Sequence, residues 1–192
     1  MKLLIATNNQ HKISEISPLI PHGIELITLS EAGIIEDIPE TGSTLRENAL
    51  IKAIYAYNKT KINCFADDTG LEVKALGSAP GVYSARYAGN EHNAEKNVQL
   101  LLQNMKGITN REACFRTVIA LIMNGEQFIF EGIVEGYIIK EKIGNDGFGY
   151  DPVFIPEGYN QTFAQMTLSQ KNEISHRSKA ILQLIEFLKT RF

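Results

Sequence analysis

Two long β-rich runs joined by an Asn-Gly pair place the strongest constraint on the fold of this chain. The runs extend from Cys114 to Met123 and from Gln127 to Tyr137, and Asn124-Gly125 lies between them. Asn-Gly suits a two-residue hairpin turn because both residues tolerate the positive φ angles that this turn requires. The sequence therefore predicts a long antiparallel hairpin.

The rest of the chain alternates between short apolar runs and segments of helical periodicity. Leu3–Ala6 and Cys64–Ala66 are continuous apolar runs typical of buried strands, and the second ends at Asp67. Thr44–Glu47 is a capping-box pattern in front of a stripe of small residues. Further helices are expected from Ala94 onward and in the C-terminal segment. The pattern predicts an α/β domain whose sheet combines crossover units with the hairpin.

Charge and composition narrow the class of partners. The 192 residues, a length that favours one domain, carry 19 basic and 22 acidic side chains and no lysine- or arginine-rich run. A broad surface for duplex DNA is therefore not expected. No apolar run reaches the roughly 18–20 residues that span a membrane, and the N-terminus does not resemble a signal peptide. We expect a cytoplasmic protein that binds neither nucleic acid nor membranes.

The two cysteines lie fifty residues apart, and both fall within apolar runs. Buried Cys behaves as a small apolar residue, and no second Cys or His stands at metal-ligand spacing. We therefore expect Cys64 and Cys114 to be buried, reduced thiols rather than a disulfide or a metal pair.

Polar residues concentrate in four clusters at the ends of predicted strands and helices, where a rigid frame exposes side chains. The first cluster, Thr7–Lys12, follows the first strand and opens a helix, a position that favours an anion. Plain helix capping by Thr7 or Asn9 explains the same residues. The two familiar nucleotide loops are absent, because the chain has neither a Walker lysine-serine pair nor a Gly-x-Gly-x-x-Gly run.

Carboxylates form the second and third clusters. Asp67 and Asp68 point in opposite directions if they lie on a strand, so that one of them faces a given cleft. Such a carboxylate can hold a hard cation such as Mg²⁺ or activate a water, and Glu40 lies in a loop within reach of the same ion. Asn48 and Lys52 share a helical face beside it. A capped turn and a solvated helix start remain the alternatives.

The fourth cluster combines Phe148–Asp151 with Ser175-His176-Arg177. A glycine-flanked aromatic ring beside an Asp can stack on a base, and His176 and Arg177 can donate hydrogen bonds to an exocyclic oxygen. A glycine turn followed by an ordinary helix surface is the alternative. No pattern supports a serine or cysteine hydrolase, because the candidate nucleophiles lack a base at recognisable spacing.

Together these segments resemble one family nearly end to end, the inosine triphosphate pyrophosphatases. Six segments match the family's motifs in order: Thr7-x-Asn9-x-x-Lys12, Glu40-Thr41-Gly42 through Lys52-Ala53, Ala66-Asp67-Asp68-Thr69-Gly70-Leu71, Pro80–Tyr87, Phe148–Pro152 and Ser175-His176-Arg177. Thr69 departs from the family, which usually has Ser there, but it keeps the hydroxyl group.

The resemblance implies a single domain over residues 1–192, with a long mixed sheet flanked by helices and two lobes around a central cleft. It also implies Mg²⁺ dependence and a homodimer. The implied reaction is the hydrolysis of non-standard purine nucleoside triphosphates (ITP, dITP and XTP) to the monophosphate and pyrophosphate. The alternatives are a pyrophosphatase for other modified nucleotides and a nucleotide sensor without turnover.

The resemblance also assigns roles to individual residues. Glu40 and Asp68 would bind Mg²⁺, Asp68 would accept the proton of the attacking water, and Asp67 would be its outward neighbour. Arg86 is a weaker candidate for a phosphate contact. The implied substrate contacts are Thr7, Asn8, Asn9, Gln10, His11, Lys12, Lys52, Thr69, Phe148, Gly149, Tyr150, Asp151, Lys171, His176 and Arg177. Donors from His176 or Arg177 would favour a 6-oxo purine over adenine, which presents an amino group at that position.

Overall fold

The computed structural model describes residues 1–191 and contains a six-stranded sheet flanked by helices. Its strands are β1 (Lys2–Ile5), β2 (Glu25–Thr28), β3 (Cys64–Val73), β4 (Glu112–Met123), β5 (Glu126–Ile138) and β6 (Phe154–Pro156). Its helices are α1 (Gln10–Ile16), α2 (Leu45–Thr60), α3 (Ala94–Asn104), α4 (Leu168–Ile174) and α5 (His176–Lys189). The strand order is β2-β1-β3-β4-β5-β6. Strand β1 is parallel to β2 and β3, whereas β6 is antiparallel to β5, which confirms a mixed α/β sheet.

The predicted hairpin is confirmed as β4 and β5, which are neighbours in the sheet. Asn124 and Gly125 form its turn with φ angles of 52° and 86°. These are the left-handed values that a two-residue hairpin requires. The Asn63 side chain accepts a hydrogen bond from the Asn124 N–H at 2.9 Å, so a second segment fixes the turn.

The prediction that the strand Cys64–Ala66 ends at Asp67-Asp68 is wrong. Strand β3 continues through Asp67 and Asp68 to Val73. The strand can continue because basic side chains, described below, contact both carboxylates, so the buried charges are compensated. The two carboxylates therefore lie in mid-strand.

The chain folds as two compact units. The first comprises residues 1–68, 117–132 and 177–191, and the second comprises residues 69–116 and 133–176. Strands β3, β4 and β5 each contribute residues to both units. Within residues 1–191, no helix combines the length and the apolar character needed to cross a membrane.

The core of the first unit joins strand residues such as Phe65 and Ile119 to Ile181 and Leu184 of α5. On α2 the predicted stripe of small residues is fully buried at Ala49, Ala53 and Ala56. Thr44 caps this helix as predicted, because its hydroxyl accepts the Glu47 N–H at 3.1 Å. The Glu47 carboxylate, however, accepts the N–H of Ser43 at 2.7 Å, so the predicted capping box is only half formed.

The second unit has an aromatic core in which Phe115 packs edge-on against Phe154, with ring centroids 4.7 Å apart. Helix α3 adds Val98 and Leu101, which confirms the helix predicted from Ala94 onward. The C-terminal segment holds two helices rather than one. Ser175 adopts an extended conformation between α4 and α5, where its N–H donates to the Lys171 carbonyl at 2.8 Å.

Asn97 of α3 fixes the segment that follows the 3₁₀ helix Gly81–Arg86. It is 4% exposed, accepts the Ala88 N–H at 2.7 Å and donates to the Ala85 carbonyl at 3.0 Å. We expect Asn97→Ala to lower the free energy of unfolding by about 2 kcal/mol, because buried groups lose their partners. Urea unfolding measures the loss. Gln103→Ala, at an exposed position of the same helix, is the control, and an equal loss there would contradict the expectation.

Both cysteines are buried and reduced, as predicted. Burial raises the pKa of the Cys64 thiol to about 12, and burial together with the Glu72 carboxylate raises that of Cys114 to about 12. At pH 8 the thiolate fraction is then about 10⁻⁴ at each site. We expect iodoacetamide to leave both thiols intact in the folded protein and to alkylate both in guanidinium. Rapid alkylation of either thiol in the folded protein would contradict this expectation.

Candidate active site

A cluster of charged side chains in the first unit centres on Lys52 of α2. Its ammonium lies 2.6 Å from the Glu40 carboxylate and 3.2 Å from that of Asp68. The Asn48 amide, one turn earlier on α2, donates to the second Asp68 oxygen at 3.2 Å. Glu40 and Asp68, predicted to approach one ion, thus both contact the same ammonium. Asn48 was not among the predicted site residues. Its position four residues before Lys52, on the same face of the helix, could have indicated that it belongs to the site.

Burial has a large effect on the pKa values of Asp68 and Lys52. Asp68 is 6% exposed, and burial, together with the Glu40 and Asp67 carboxylates, raises its pKa despite the opposing charges of Lys52 and Lys12. Burial alone would lower the pKa of Lys52, but the Asp68 and Glu40 carboxylates outweigh it and raise that pKa. Lys52 therefore stays charged, and Asp68 is a stronger base than an exposed aspartate.

The prediction that Asp67 points outward is wrong, because this carboxylate is fully buried. It lies 2.9 Å from the Lys12 ammonium and 3.5 Å from Nε of Arg177. Burial alone would raise the pKa of Asp67, but the charges of Lys12 and Arg177 outweigh it and hold that pKa well below its usual range. Asp67 is thus the ionised counter-charge of two buried cations.

Arg177 is 2% exposed, and it also forms an ion pair with the buried Glu15 of α1. Glu15 was not among the predicted residues, since nothing in its local sequence indicates a partner 162 positions away. The guanidinium of Arg177 faces these carboxylates within the first unit. Its predicted contact with a base stays a prediction.

The Thr7–Lys12 loop is ordered by capping interactions. Asn9 Oδ1 accepts the N–H groups of His11 at 3.0 Å and of Lys12 at 3.3 Å, and the Thr7 hydroxyl accepts the Asn9 N–H at 3.2 Å. The side chains of residues 8–11 are exposed. Helix capping is therefore confirmed at Asn9, whereas Thr7 fixes the turn in front of the cap. The charge that this loop offers an anion comes from Lys12. Burial lowers the pKa of Lys12, with Asp67 opposing that change.

A second cluster lies within the second unit. Asp151 is 2% exposed, and its Oδ2 accepts the Phe148 N–H at 2.8 Å and the Lys171 ammonium at 2.5 Å. That ammonium lies 5.1 Å from the centroid of the half-buried Phe148 ring. Gly147 has a φ of 72°, and a Cβ there would collide with the Asp151 carboxylate. Asp151 therefore fixes both the loop and the orientation of Phe148.

The remaining predicted residues of this unit are held by packing. His176 stacks on Phe115, with centroids 4.6 Å apart and ring planes 12° apart. The buried Tyr150 donates its hydroxyl to the Ser84 carbonyl at 2.9 Å, so its ring supports the loop. Gly149 has open space around its Cα, and Thr69 is half-buried directly after Asp68. Arg86 lies over the Tyr83 ring at 5.2 Å, a contact that involves none of the clusters.

The donor set of the first cluster fits a hard divalent cation. Carboxylate oxygens are the ligands that Mg²⁺ prefers, and it usually takes one or two of them together with water and substrate phosphates. Glu40 and Asp68 supply such a pair. Within residues 1–191, no group of three or more His, Cys, Asp or Glu side chains is placed to form a complete metal cage. The pair therefore fits a cation that takes its remaining ligands from water or from a bound molecule.

Comparisons with known proteins identify the family. The model of the Ham1 family matches residues 3–187. A relative from Christiangramia forsetii, named dITP/XTP pyrophosphatase, is 54% identical over 98% of this chain and 99% of its own length. One of the same name from Porphyromonas gingivalis is 53% identical over 97% of both chains. The solved Ham1 protein of Staphylococcus aureus is 41% identical, with a TM-score of 0.91 over the full length of both chains.

A family match over almost the whole chain, supported by relatives of similar length, leaves no ambiguity about its class. This chain belongs to the Ham1 family. The family resemblance inferred from the six sequence motifs is thereby confirmed, as is the expected α/β fold.

Proposed function

We propose that this protein hydrolyses ITP, dITP and XTP to the nucleoside monophosphate and pyrophosphate with the help of Mg²⁺. The observation that carries the proposal is the arrangement of Glu40, Asp68 and Lys52, which combines paired carboxylates with a fixed cation. Relatives that share about half of its residues are named dITP/XTP pyrophosphatase, which supports this substrate class.

In this mechanism the ammonium groups of Lys12 and Lys52 bind the phosphate oxygens and offset the charge that builds up on the leaving pyrophosphate. Glu40 and Asp68 would hold Mg²⁺, which would polarise the phosphates and lower the pKa of bound water. Asn48 and Lys52 orient the two oxygens of Asp68. Asp68 accepts a proton from the attacking water while the water oxygen bonds to the α phosphorus. The bond from that phosphorus to the oxygen that bridges the α and β phosphates breaks. The electron pair of the broken bond leaves with pyrophosphate.

The second cluster would recognise the base. Phe148 offers a half-buried ring for stacking, and its backbone is fixed by Asp151. Lys171 and His176 bring donors to the same unit, and a 6-oxo purine presents an acceptor where adenine presents an amino donor. A protein donor that faces the amino group of adenine has no acceptor, and such a mismatch can favour a 6-oxo purine over adenine by orders of magnitude. That the enzyme is a cytoplasmic homodimer stays a prediction of the sequence.

A substrate panel tests the proposed selectivity. Initial rates of pyrophosphate release are measured with ITP, dITP, XTP, ATP and GTP, each with Mg²⁺ and with EDTA. We expect the three non-standard nucleotides to react at least about 10²-fold faster than ATP and GTP, and EDTA to abolish every rate. Equal rates for ITP and ATP would refute the selectivity. Thermal stabilisation by nucleotide without turnover would favour a sensor instead.

Phe148→Ala tests the role assigned to the aromatic ring. Loss of base stacking is expected to raise KM for ITP about tenfold, with a smaller change in kcat, because stacking contributes about 1–3 kcal/mol. Steady-state kinetics separate the two constants. Tyr159→Ala removes an exposed aromatic ring elsewhere in the second unit and is the control. A Phe148→Ala enzyme with the KM of the wild type would exclude stacking on this ring.

A further inference from the structure

Residues 35–41 form the segment that carries Glu40, and few backbone interactions fix them. On one side, Ile34 is 2% exposed and its N–H donates to the Leu29 carbonyl at 2.9 Å. On the other side, the Gly42 N–H donates to the Asn48 side chain at 2.7 Å. Within the part of the chain that the structure describes, residues 35–39 make no backbone–backbone hydrogen bond. Side chains must therefore hold this segment in place.

Glu36 makes the main contact between this segment and α2. Its carboxylate accepts the Tyr55 hydroxyl at 2.5 Å and forms an ion pair with Lys59. The Lys59 ammonium also lies 5.2 Å from the centroid of the Tyr55 ring. We call Glu36, Tyr55 and Lys59 the Glu36 anchor. Hydrogen bonds from Lys59 and Tyr55 lower the pKa of Glu36 to about 2, so the Glu36 carboxylate is ionised at neutral pH.

The Glu36 anchor and the Glu40–Lys52 contact are evenly spaced along α2. Lys52, Tyr55 and Lys59 are spaced three and four residues apart and so share one face of α2. Glu36 and Glu40 are four residues apart on the opposing segment. Glu40 contacts Lys52, and Glu36 contacts the next two residues along that face. A further hydrogen bond, from the Asn8 amide to Asp37 at 3.2 Å, joins the segment to the Thr7–Lys12 loop.

We propose that the Glu36 anchor is a positioning element that keeps residues 35–41 on α2, so that the Glu40 carboxylate is already beside Asp68 when a divalent cation arrives. The role assigned to Glu40 rests on the proposed function. A preordered ligand saves the entropy of ordering the segment at binding. If the anchor is lost, the apparent metal affinity falls in proportion to the fraction of molecules that keep Glu40 in place.

The test compares Tyr55→Phe, Lys59→Met and the double variant with the wild type. Tyr55→Phe removes a hydrogen bond without changing the charge. Lys189→Met is the matched control, because it removes a similarly exposed lysine ion pair from α5. Three quantities are measured: the Mg²⁺ concentration for half-maximal pyrophosphate release at saturating ITP, the KM for ITP at saturating Mg²⁺, and the rate at which a glutamate-specific protease cleaves within residues 35–41 without metal or nucleotide.

In the double variant we expect the half-saturating Mg²⁺ concentration to rise about threefold to tenfold. The KM for ITP and kcat at saturating Mg²⁺ should change less than about twofold, and cleavage within residues 35–41 should accelerate. The single variant Lys59→Arg, which keeps the positive charge, should have the wild-type values. A wild-type Mg²⁺ requirement in the double variant, or an equal rise in Lys189→Met, would overturn the proposal. If the wild type releases no pyrophosphate, the proposed function fails. The anchor is then judged by cleavage with the glutamate-specific protease, and an unchanged cleavage rate within residues 35–41 would overturn it.

Discussion

Asp68→Asn is expected to reduce pyrophosphate release from ITP by about 10³-fold or more, because one substitution removes the proton acceptor and a metal ligand. The folded state should persist. Lys52 keeps its 2.6 Å contact with Glu40, and an amide can still accept a hydrogen bond from Lys52 or Asn48. Initial rates and thermal unfolding of the same preparation measure both effects.

The control for this substitution is Glu186→Gln. It neutralises an exposed carboxylate of α5 whose partner is the exposed Lys189, and its rate should stay within about twofold of the wild type because isolated surface ion pairs contribute little. If Asp68→Asn retains a tenth or more of the wild-type rate, Asp68 is not the proton acceptor. If it fails to fold, the variant Asp68→Glu, which keeps a carboxylate, should fold and remain far below the wild-type rate.

Asp67→Asn should lower the free energy of unfolding by about 3–5 kcal/mol, because it removes the carboxylate beside Lys12 and one of the two carboxylates that compensate the buried Arg177. Asp67 is fully buried, with Lys12 at 2.9 Å and Arg177 at 3.5 Å. For a protein of this size the loss corresponds to a decrease in Tm of about 10 °C. Urea unfolding and calorimetry measure the two quantities.

Asp68→Asn is the matched comparison for this second substitution, since it makes the same chemical change at the next residue of β3. Its Tm should differ from the wild type by no more than about 3 °C. The difference between neighbours arises from their partners. Asp67 compensates two cations within the core, whereas Asp68 shares Lys52 with Glu40. An Asp67→Asn protein as stable as the wild type would show that Glu15 alone suffices to compensate Arg177.

The parts of the fold that the sequence predicted are those determined locally. The β4–β5 turn depends on two residues that tolerate positive φ, and α2 and α3 depend on capping residues followed by apolar periodicity. The extent of β3 could not be predicted in this way. Two adjacent aspartates usually end a strand, and these remain in mid-strand because their partners come from α1, α2 and the start of α5.

The same distinction applies to the candidate site. Motif resemblance identified Glu40, Lys52 and Asp68, and the structure brings all three into contact. The motif resemblance could not show that Asp67 is buried. A motif gives no information about which charged side chains from distant parts of the chain contact one of its residues. The ion pair of Arg177 with Glu15 and the Glu36 anchor were missed for that reason, since each joins residues remote in the chain.

Product analysis tests the proposal that the Glu40–Asp68–Lys52 cluster cleaves a triphosphate between its α and β phosphates. ITP is incubated with the protein, with and without Mg²⁺, while chromatography identifies the nucleotide product and pyrophosphate is assayed separately. We expect inosine monophosphate and pyrophosphate in equal amounts, formed only with the metal. Inosine diphosphate with orthophosphate would show that a different bond is cleaved and would refute the proposed reaction.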